Sequence, residues 1–462
     1  MVEPSNTDVI ISTPTDVGDD ISDLLVFKTS DGEYKSRALA IDGKSKWTER
    51  WLVTIADVDA WIARLRGLLK LAKERVTGVT PADSSDTAEI HAQYDMLLKL
   101  HNEVIPLLTQ IRSQLLAAEP DADVIWQALA SAAASDTLAV GVAKDTLTWE
   151  CVWINWADTD ASIIPLRAGR DVLTAVNHGV ARIITKQTKD VLLHAIEFYA
   201  ATPLFNAILN GLPSRIIITD ATPSPGTKAM IKALGGSTHT EIIPSPVAVA
   251  ANYAALLDSG DASDQEPRTK ASVEVVRQAL QTLASTLNCK NNQIAVITHK
   301  SWAEACNEAG VNAMEIGCWD DDAYGHNRWS NARGLVIVGA PYLPPEAMIH
   351  AYHCDRATAL LAGANANKWP WWEDDEPMKI RPHLQIGDKY VTWPGELPTS
   401  PILRRWVLNY YAREYAQAIG RLRSIRSDVV QAVLVLGPVP DLQEYGITVR
   451  TFQDIAPLGK LR

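Results

Sequence analysis

Apolar residues follow three different rhythms along this chain. Near the start, Asp8–Thr15 (DVIISTPT) and Arg37–Lys44 (RALAIDGK) are short apolar runs closed by turn residues, which predicts two strands. From Ala56 the spacing becomes helical. The stretch IADVDAWIARLRGLLKLAKERV carries it, and Leu97, Leu100, Val104, Leu107, Ile111 and Leu115 recur at intervals of three and four residues, an apolar stripe with charge on the opposite face. Pro106 interrupts that stripe, where a kink is expected. The region from Ala56 to about Ile196 therefore reads as mainly helical, with one short strand at LTWECVWINW. From about Arg215 the rhythm changes again. RIIITDAT, QIAVITHK, NAMEIGCW, GLVIVGAP and QAVLVLGP are each four to six strongly apolar residues followed by polar or glycine-bearing loops, with helical patterns such as VEVVRQALQTL between them. This predicts an α/β fold, a parallel sheet covered by helices on both faces. In such sheets ligands sit at the C-terminal ends of the strands. Asp258–Pro267 (DSGDASDQEP) reads as a surface loop, and no internal repeat is visible.

Composition adds limits. A chain of 462 residues with 47% apolar and 21% charged positions exceeds one small core and has an ordinary globular balance. No basic segment precedes an apolar one near the N-terminus, and no apolar run approaches the roughly 18 residues that span a bilayer, so a soluble cytoplasmic protein is expected. Cys151, Cys289, Cys306, Cys318 and Cys354 lack C-x-x-C spacing, which argues against a disulfide framework and a zinc ribbon. His350, His353 and Cys354 have no second pair of ligands nearby in sequence. The net charge of -12 opposes broad adhesion to nucleic acid. That charge is uneven: Pro401–Arg426 holds six arginines and one acid, Glu414, and ends in YAQAIGRLRSIR, where Arg421, Arg423 and Arg426 stand behind Gln417 and Gly420. Tryptophan is abundant, 15 against four phenylalanines. The segment KWPWWEDDEP places Trp369, Trp371 and Trp372 together. Rings of this kind stack on unpaired bases at about 1–3 kcal/mol each, but Glu373, Asp374, Asp375 and Glu376 would repel phosphates, and packing is the favoured role.

The loops after the predicted strands share one chemistry. They carry Thr219-Asp220-Ala221-Thr222, Thr298-His299-Lys300, and DDDAYGHNRW with Gly325, Asn327 and Arg328. Hydroxyls, glycine-exposed N–H groups and basic side chains at strand ends suit phosphate oxyanions. Each has a plainer reading: Thr222 as a helix N-cap, Lys300 as a solvated lysine, the arginines as an exposed helix face.

Their order resembles the motifs of superfamily 2 type helicases, especially the replication and primase-linked helicases of plasmids and phages. The coupling triplet matches Asp220-Ala221-Thr222, and a strand opening the second RecA-like lobe matches Val296–Lys300. A G-x-N-x-aromatic loop matches Gly325–Trp329 before GLVIVGAP, and the Q-x-x-G-R-x-R motif matches Gln417, Gly420, Arg421 and Arg423. The likeness covers roughly Arg215–Pro440. It implies that ATP with Mg²⁺ lies between two RecA-like lobes and that Arg421, or Arg423, reaches the γ-phosphate; a further family arginine falls here at Ser424. Such a guanidinium is worth about 10³–10⁵ in rate in well-studied NTPases. The resemblance also implies that Asp220, Thr222, Gly325 and Gly420 couple nucleotide to strand grip, and that Thr298, Lys300, Asn327 and Arg328 face single-stranded or duplex DNA.

The phosphate cradle G-x-x-x-x-G-K-[ST] is not found. Gly43-Lys44-Ser45 has Ala38 where the first glycine belongs. Asp42 instead resembles the metal-binding aspartate ending a Walker B strand, with Gly43 in place of the catalytic glutamate. The expected layout is a partial first RecA-like lobe (1–45), a mainly helical insertion (46–196), the end of the first lobe (197–245), and a second lobe (246–462) with an insertion at about 345–410. A partner chain or further segment would supply the cradle. A catalytically inactive scaffold subunit and an unrelated doubly wound enzyme, such as a nucleotide-sugar transferase, are the alternatives.

Overall fold

The computed structural model describes residues 9–12, 47–78, 84–143, 172–188, 191–210, 216–219, 222–237, 248–251, 265–319, 329, 331–341, 345–373, 376–381, 383–386, 389–392, 396–422, 431–437 and 439–451. The chain divides into two compact units. One comprises Met1–Leu25, Gly211–His353 and Asn367–Arg462; the other comprises Val26–Asn210 and Cys354–Ala366.

In chain order the first unit begins with strand β1 (Val9–Ser12). The second unit then supplies β2 (Thr48–Val53), α1 (Ile55–Gly78), α2 (Ser84–Leu115), α3 (Ala122–Ala143), β3 (Ala181–Thr188), β4 (Val191–Ala201) and α4 (Pro203–Leu209). The helical stripe is real: Leu97, Val104, Leu108, Ile111 and Leu115 are buried, and α2 packs against both α1 and α3. Helix α1 starts where it does because Thr54 and Asp57 cap each other, the Thr54 N–H donating to Asp57 Oδ2 at 2.7 Å and the Asp57 N–H to Thr54 Oγ1 at 3.4 Å. Pro106 lies inside α2 without ending it.

The helical reading fails after Ala181. Residues 181–201 form a hairpin, and β2, β4 and β3 make an antiparallel sheet in that order. The β-branched run Ile183-Ile184-Thr185 was the available signal. The expected strands at RALAIDGK and LTWECVWINW lie outside the described residues.

Buried at the centre of this sheet is Glu197, 1% exposed. Arg50 Nε donates to its Oε1 at 2.6 Å and Arg182 Nε to its Oε2 at 2.7 Å, each arginine coming from a neighbouring strand, and Tyr199 OH adds a bond at 3.3 Å. Burial by itself would raise the Glu197 carboxyl, but the Arg182 and Arg50 guanidiniums outweigh it and hold the group below its ordinary value of 4.5.

The first unit resumes with β5 (Ile216–Thr219), which pairs in parallel with β1, Val9 opposite Ile216. Then follow α5 (Pro225–Ala233), β6 (Ala248–Ala251), α6 (Gln265–Leu287), β7 (Ile294–Thr298), α7 (Lys300–Glu308), β8 (Glu315–Cys318), β9 (Gly334–Val338) and α8 (Pro345–Leu361), whose residues from Cys354 belong to the other unit. Small strands β10 (Met378–Ile380), β11 (His383–Ile386), β12 (Lys389–Thr392) and β13 (Leu397–Pro398) form two antiparallel pairs. Helix α9 (Pro401–Gly420), β14 (Ala432–Leu436) and β15 (Val449–Thr451) complete the described elements. The expected loop at Asp258–Pro267 is helical from Gln265 onward.

Six strands make one sheet in the order β15-β6-β14-β9-β7-β8, every pairing parallel. Every residue of β7, β9 and β14 is buried. Alternate side chains go to opposite layers. Ala295, Ile297, Leu335, Ile337, Val433 and Val435 pack with Ala412, Tyr415, Ala416 and Ile419 of α9. Their neighbours Ile294, Val296, Val336, Val338 and Leu434 pack with Val276, Leu280, Leu283 and Leu287 of α6. The fold is thus α/β, with a parallel sheet between helical layers. Strands β6 and β15, at one end of the sheet, escaped the sequence reading, being only four and three residues long.

Replacing Glu197 by Ala should lower stability by about 3–5 kcal/mol, because two half-buried guanidiniums lose their counter-charge. A depressed carboxyl stabilises fully above its unfolded value and loses that contribution as pH falls through the lower folded value. Denaturant unfolding at pH 7 and pH 3 should therefore show wild type losing more stability on acidification than Glu197→Gln; equal acid sensitivity would rule out this cluster as a cause.

Candidate functional site

Two neighbouring strands of the large sheet define where a ligand crevice can open. After β7 the chain moves outward to β8, whereas after β9 it moves the opposite way to β14, so crossover direction reverses between β7 and β9. Two predicted loops meet at their C-terminal ends. Gly339, following β9, has φ +82, and a Cβ there would stand 2.4 Å from His299 Nε2. Only glycine accepts both the left-handed backbone and the imidazole. The Gly339 carbonyl accepts the Tyr415 hydroxyl at 2.8 Å, and Trp319 meets the Tyr415 ring edge-on at 5.3 Å. Residues of THK, VGAP and YAQAIGR are thereby brought to one place.

The second convergence lies on the other side of α9. Tyr415 faces the sheet; Arg413 and Gln417, one helical turn apart, point away from it at about 200° from Tyr415. Gln417 Nε2 donates to Thr222 Oγ1 at 2.7 Å, and Arg413 Nε donates to the Thr222 carbonyl at 2.9 Å. Thr222 is 5% exposed. It is not the N-cap of the following helix; that role belongs to Ser224, whose hydroxyl accepts from the Thr227 N–H at 3.1 Å with Pro225 next to it. Lys228 of α5 also pairs with Glu444.

Arg421 continues the same stripe as Arg413 and Gln417, four residues on. It is the C-cap of α9, with helical backbone and its N–H on Ala418 O at 3.2 Å, and its side chain is half-buried. Gly420 before it is exposed. Asp42, Asp220, Gly325, Asn327, Arg328 and Arg423 lie outside the described residues.

The residues expected to face nucleic acid divide. Lys300 is exposed at the first position of α7. Thr298 is 0% exposed, its hydroxyl has no hydrogen-bond partner among the described residues, and its side chain is enclosed within the unit. The strand-end position was correctly located, but burial of β7 to its last residue removes that side chain from the surface.

The Trp-rich segment packs, as favoured. Trp372 is 3% exposed and meets Tyr352 edge-on at 5.7 Å; Trp406 of α9 meets Tyr352 at 5.4 Å. Glu376 turns inward to cap α9, accepting both the Thr399 hydroxyl and the Ser400 N–H at 2.8 Å. His353 accepts the Trp372 N–H at 3.3 Å and lies against Trp371. Among the described residues no group of three or more His, Cys, Asp or Glu side chains is placed to hold a metal ion. Cys289, Cys306, Cys318 and Cys354 are free thiols, and burial pushes the Cys306 thiol up to about 11 despite the opposing effect of Arg277. Among the described residues no helix is long and apolar enough to cross a membrane.

His299 and Tyr415 stood within the quoted motifs without a role of their own, and Arg413 was not singled out by sequence. Arg413 was findable as the residue one helical turn before Gln417 on the stripe ending at Arg421. No protein-family model matches the chain, and no curated protein does either.

Gly339→Ala should cost about 1–3 kcal/mol and more than Gly310→Ala. Gly310 also has positive φ, +60, but a Cβ there meets nothing within 4 Å. Parallel denaturation curves of the two variants test this; equal losses would show that the His299 ring does not constrain the site.

Proposed function

We propose that this chain is the C-terminal motor portion of an ATP-dependent DNA helicase of the kind that serves plasmid or other mobile-element replication, with the large sheet as its second RecA-like lobe. The observation that carries this reading is the Gln417–Thr222 hydrogen bond, which joins the coupling triplet to the arginine motif across 195 residues of sequence. Two segments chosen for their order along the chain are in direct contact, and a helicase motor requires that contact so that nucleotide state and strand grip inform each other. The β1–β5 parallel pair, which ends in the Asp220-Ala221-Thr222 loop, is the portion of a first lobe that the 462 residues contribute.

In this reading Arg421 stabilises charge on the transferred phosphoryl group, and Gln417 and Thr222 relay the nucleotide state. Lys300, Asn327 and Arg328 contact the sugar-phosphate backbone, so sequence preference is small. Bound ATP with Mg²⁺ would supply the reacting phosphoanhydride, with Asp42 as the metal-site carboxylate. Because G-x-x-x-x-G-K-[ST] does not occur in the sequence, the cradle comes from another polypeptide segment. That same lack favours a second reading, a scaffold subunit that holds nucleic acid without hydrolysing nucleotide.

Phosphate release by the chain alone, with or without single-stranded DNA, should be undetectable. Adding a cradle-bearing first lobe should restore it, and Arg421→Ala should abolish the restored activity by about 10³-fold or more. Oligonucleotide affinity should fall steeply from 50 to 200 mM salt. Vigorous hydrolysis by the chain alone would refute the cradle assignment; salt-dependent binding with no restorable hydrolysis would establish the scaffold reading.

A further inference from the structure

We propose that Arg413, outside the Gln417–Arg423 motif, is a positioning residue that latches the loop after β5 to α9 and relays movement between Thr222 and Arg421. The inference rests on the motor reading above and names the device that regulates its site. Two donors one helical turn apart hold one residue: Arg413 Nε takes the Thr222 carbonyl at 2.9 Å and Gln417 Nε2 takes its hydroxyl at 2.7 Å. Two donors on one residue, at its carbonyl and at its hydroxyl, fix both the position and the orientation of Thr222 against the helix. With Thr222 only 5% exposed, water does not readily replace a lost donor at that carbonyl.

A nearby ion pair on α5 is more exposed than this pair of bonds. Lys228 and Glu444 are 33% and 50% exposed, a setting in which ion pairs contribute little. Helix α9 is itself immobilised by Tyr415, Ala416 and Ile419 in the sheet core and by Leu403, Trp406 and Val407 in the aromatic cluster. A displacement of the Thr222 loop is therefore delivered to a rigid rod whose next residue on the same stripe is Arg421.

The chemistry separates donor from charge. The arginine Nε and the glutamine amide nitrogen stand the same number of bonds from the backbone. Arg413→Gln keeps a donor at that point and removes the charge; Arg413→Met keeps the bulk and removes the donor.

The test is hydrogen–deuterium exchange at the amides of 226–233 in the full chain, with and without an oligo-dT strand whose affinity is measured in parallel by fluorescence anisotropy. Arg413→Met should speed ligand-free exchange about threefold to tenfold. It should also erase the oligonucleotide-dependent change seen in wild type, with affinity altered less than about threefold. Arg413→Gln should restore both. The amides of β7 and β9 should stay protected throughout, reporting an intact fold. A Gln variant that behaves like Met would show that charge matters and overturn the latch. A Met variant with fast exchange but a preserved oligonucleotide response would reduce Arg413 to a structural residue and overturn the relay, as would a wild type that binds oligonucleotide with no exchange response. If wild type binds no oligonucleotide, the motor reading and the relay both fail, while the ligand-free comparison still decides the latch.

Discussion

A parallel sheet buried on both faces constrains almost everything else in the larger unit. Strands β7, β9 and β14 contain no exposed residue, so both of their faces must be roofed by helices, and the chain must cross over between strands to return in the same direction. Nothing polar can be spared for chemistry along such strands. Functional side chains are confined to their ends and to the outward side of the covering helices. Thr298 shows how sharp the limit is: one residue before the solvent, it is already fully enclosed, while Lys300 two positions on is exposed.

Helix α9 answers two demands at once. One side is small and aromatic, with Ala412, Tyr415, Ala416 and Ile419 in the sheet core. The other carries a polar stripe of Arg413, Gln417 and Arg421, and the first two of these hold Thr222. A helix buried on most of its circumference has little freedom to tilt, and its N-terminal half is further pinned by aromatic contacts with Tyr352 and Trp372. The tryptophan enrichment thus contributes to the site indirectly, by fixing the element that bears the arginines.

The smaller unit is built on a different principle. Its antiparallel sheet tolerates a charged centre because neighbouring strands bring Arg50 and Arg182 to the two oxygens of Glu197, one guanidinium each. Partnering of that quality is what allows a carboxylate to remain ionised at 1% exposure. The three long helices of that unit rely instead on apolar faces, with Val58, Ile62 and Leu65 of α1, Val104 and Ile111 of α2, and Ile125 and Leu129 of α3 all buried.

Local chemistry made much of this readable in advance. Strands that are apolar throughout can only be buried, and helical spacing marks one face of a helix. Those signals yielded the α/β class, the central strands, α1, α2, α6 and the strand-end loops. Strands β6 and β15 were too short to show a period, and the β3–β4 hairpin was hidden in a region dominated by helical spacing. Strand order, the seating of His299 on Gly339, the ion-paired Glu197 and the grip of Arg413 and Gln417 on Thr222 were decided only by tertiary structure. Each joins groups whose separation along the chain carries no local signature, and the entropy lost in bringing them together is recovered only when the whole unit folds.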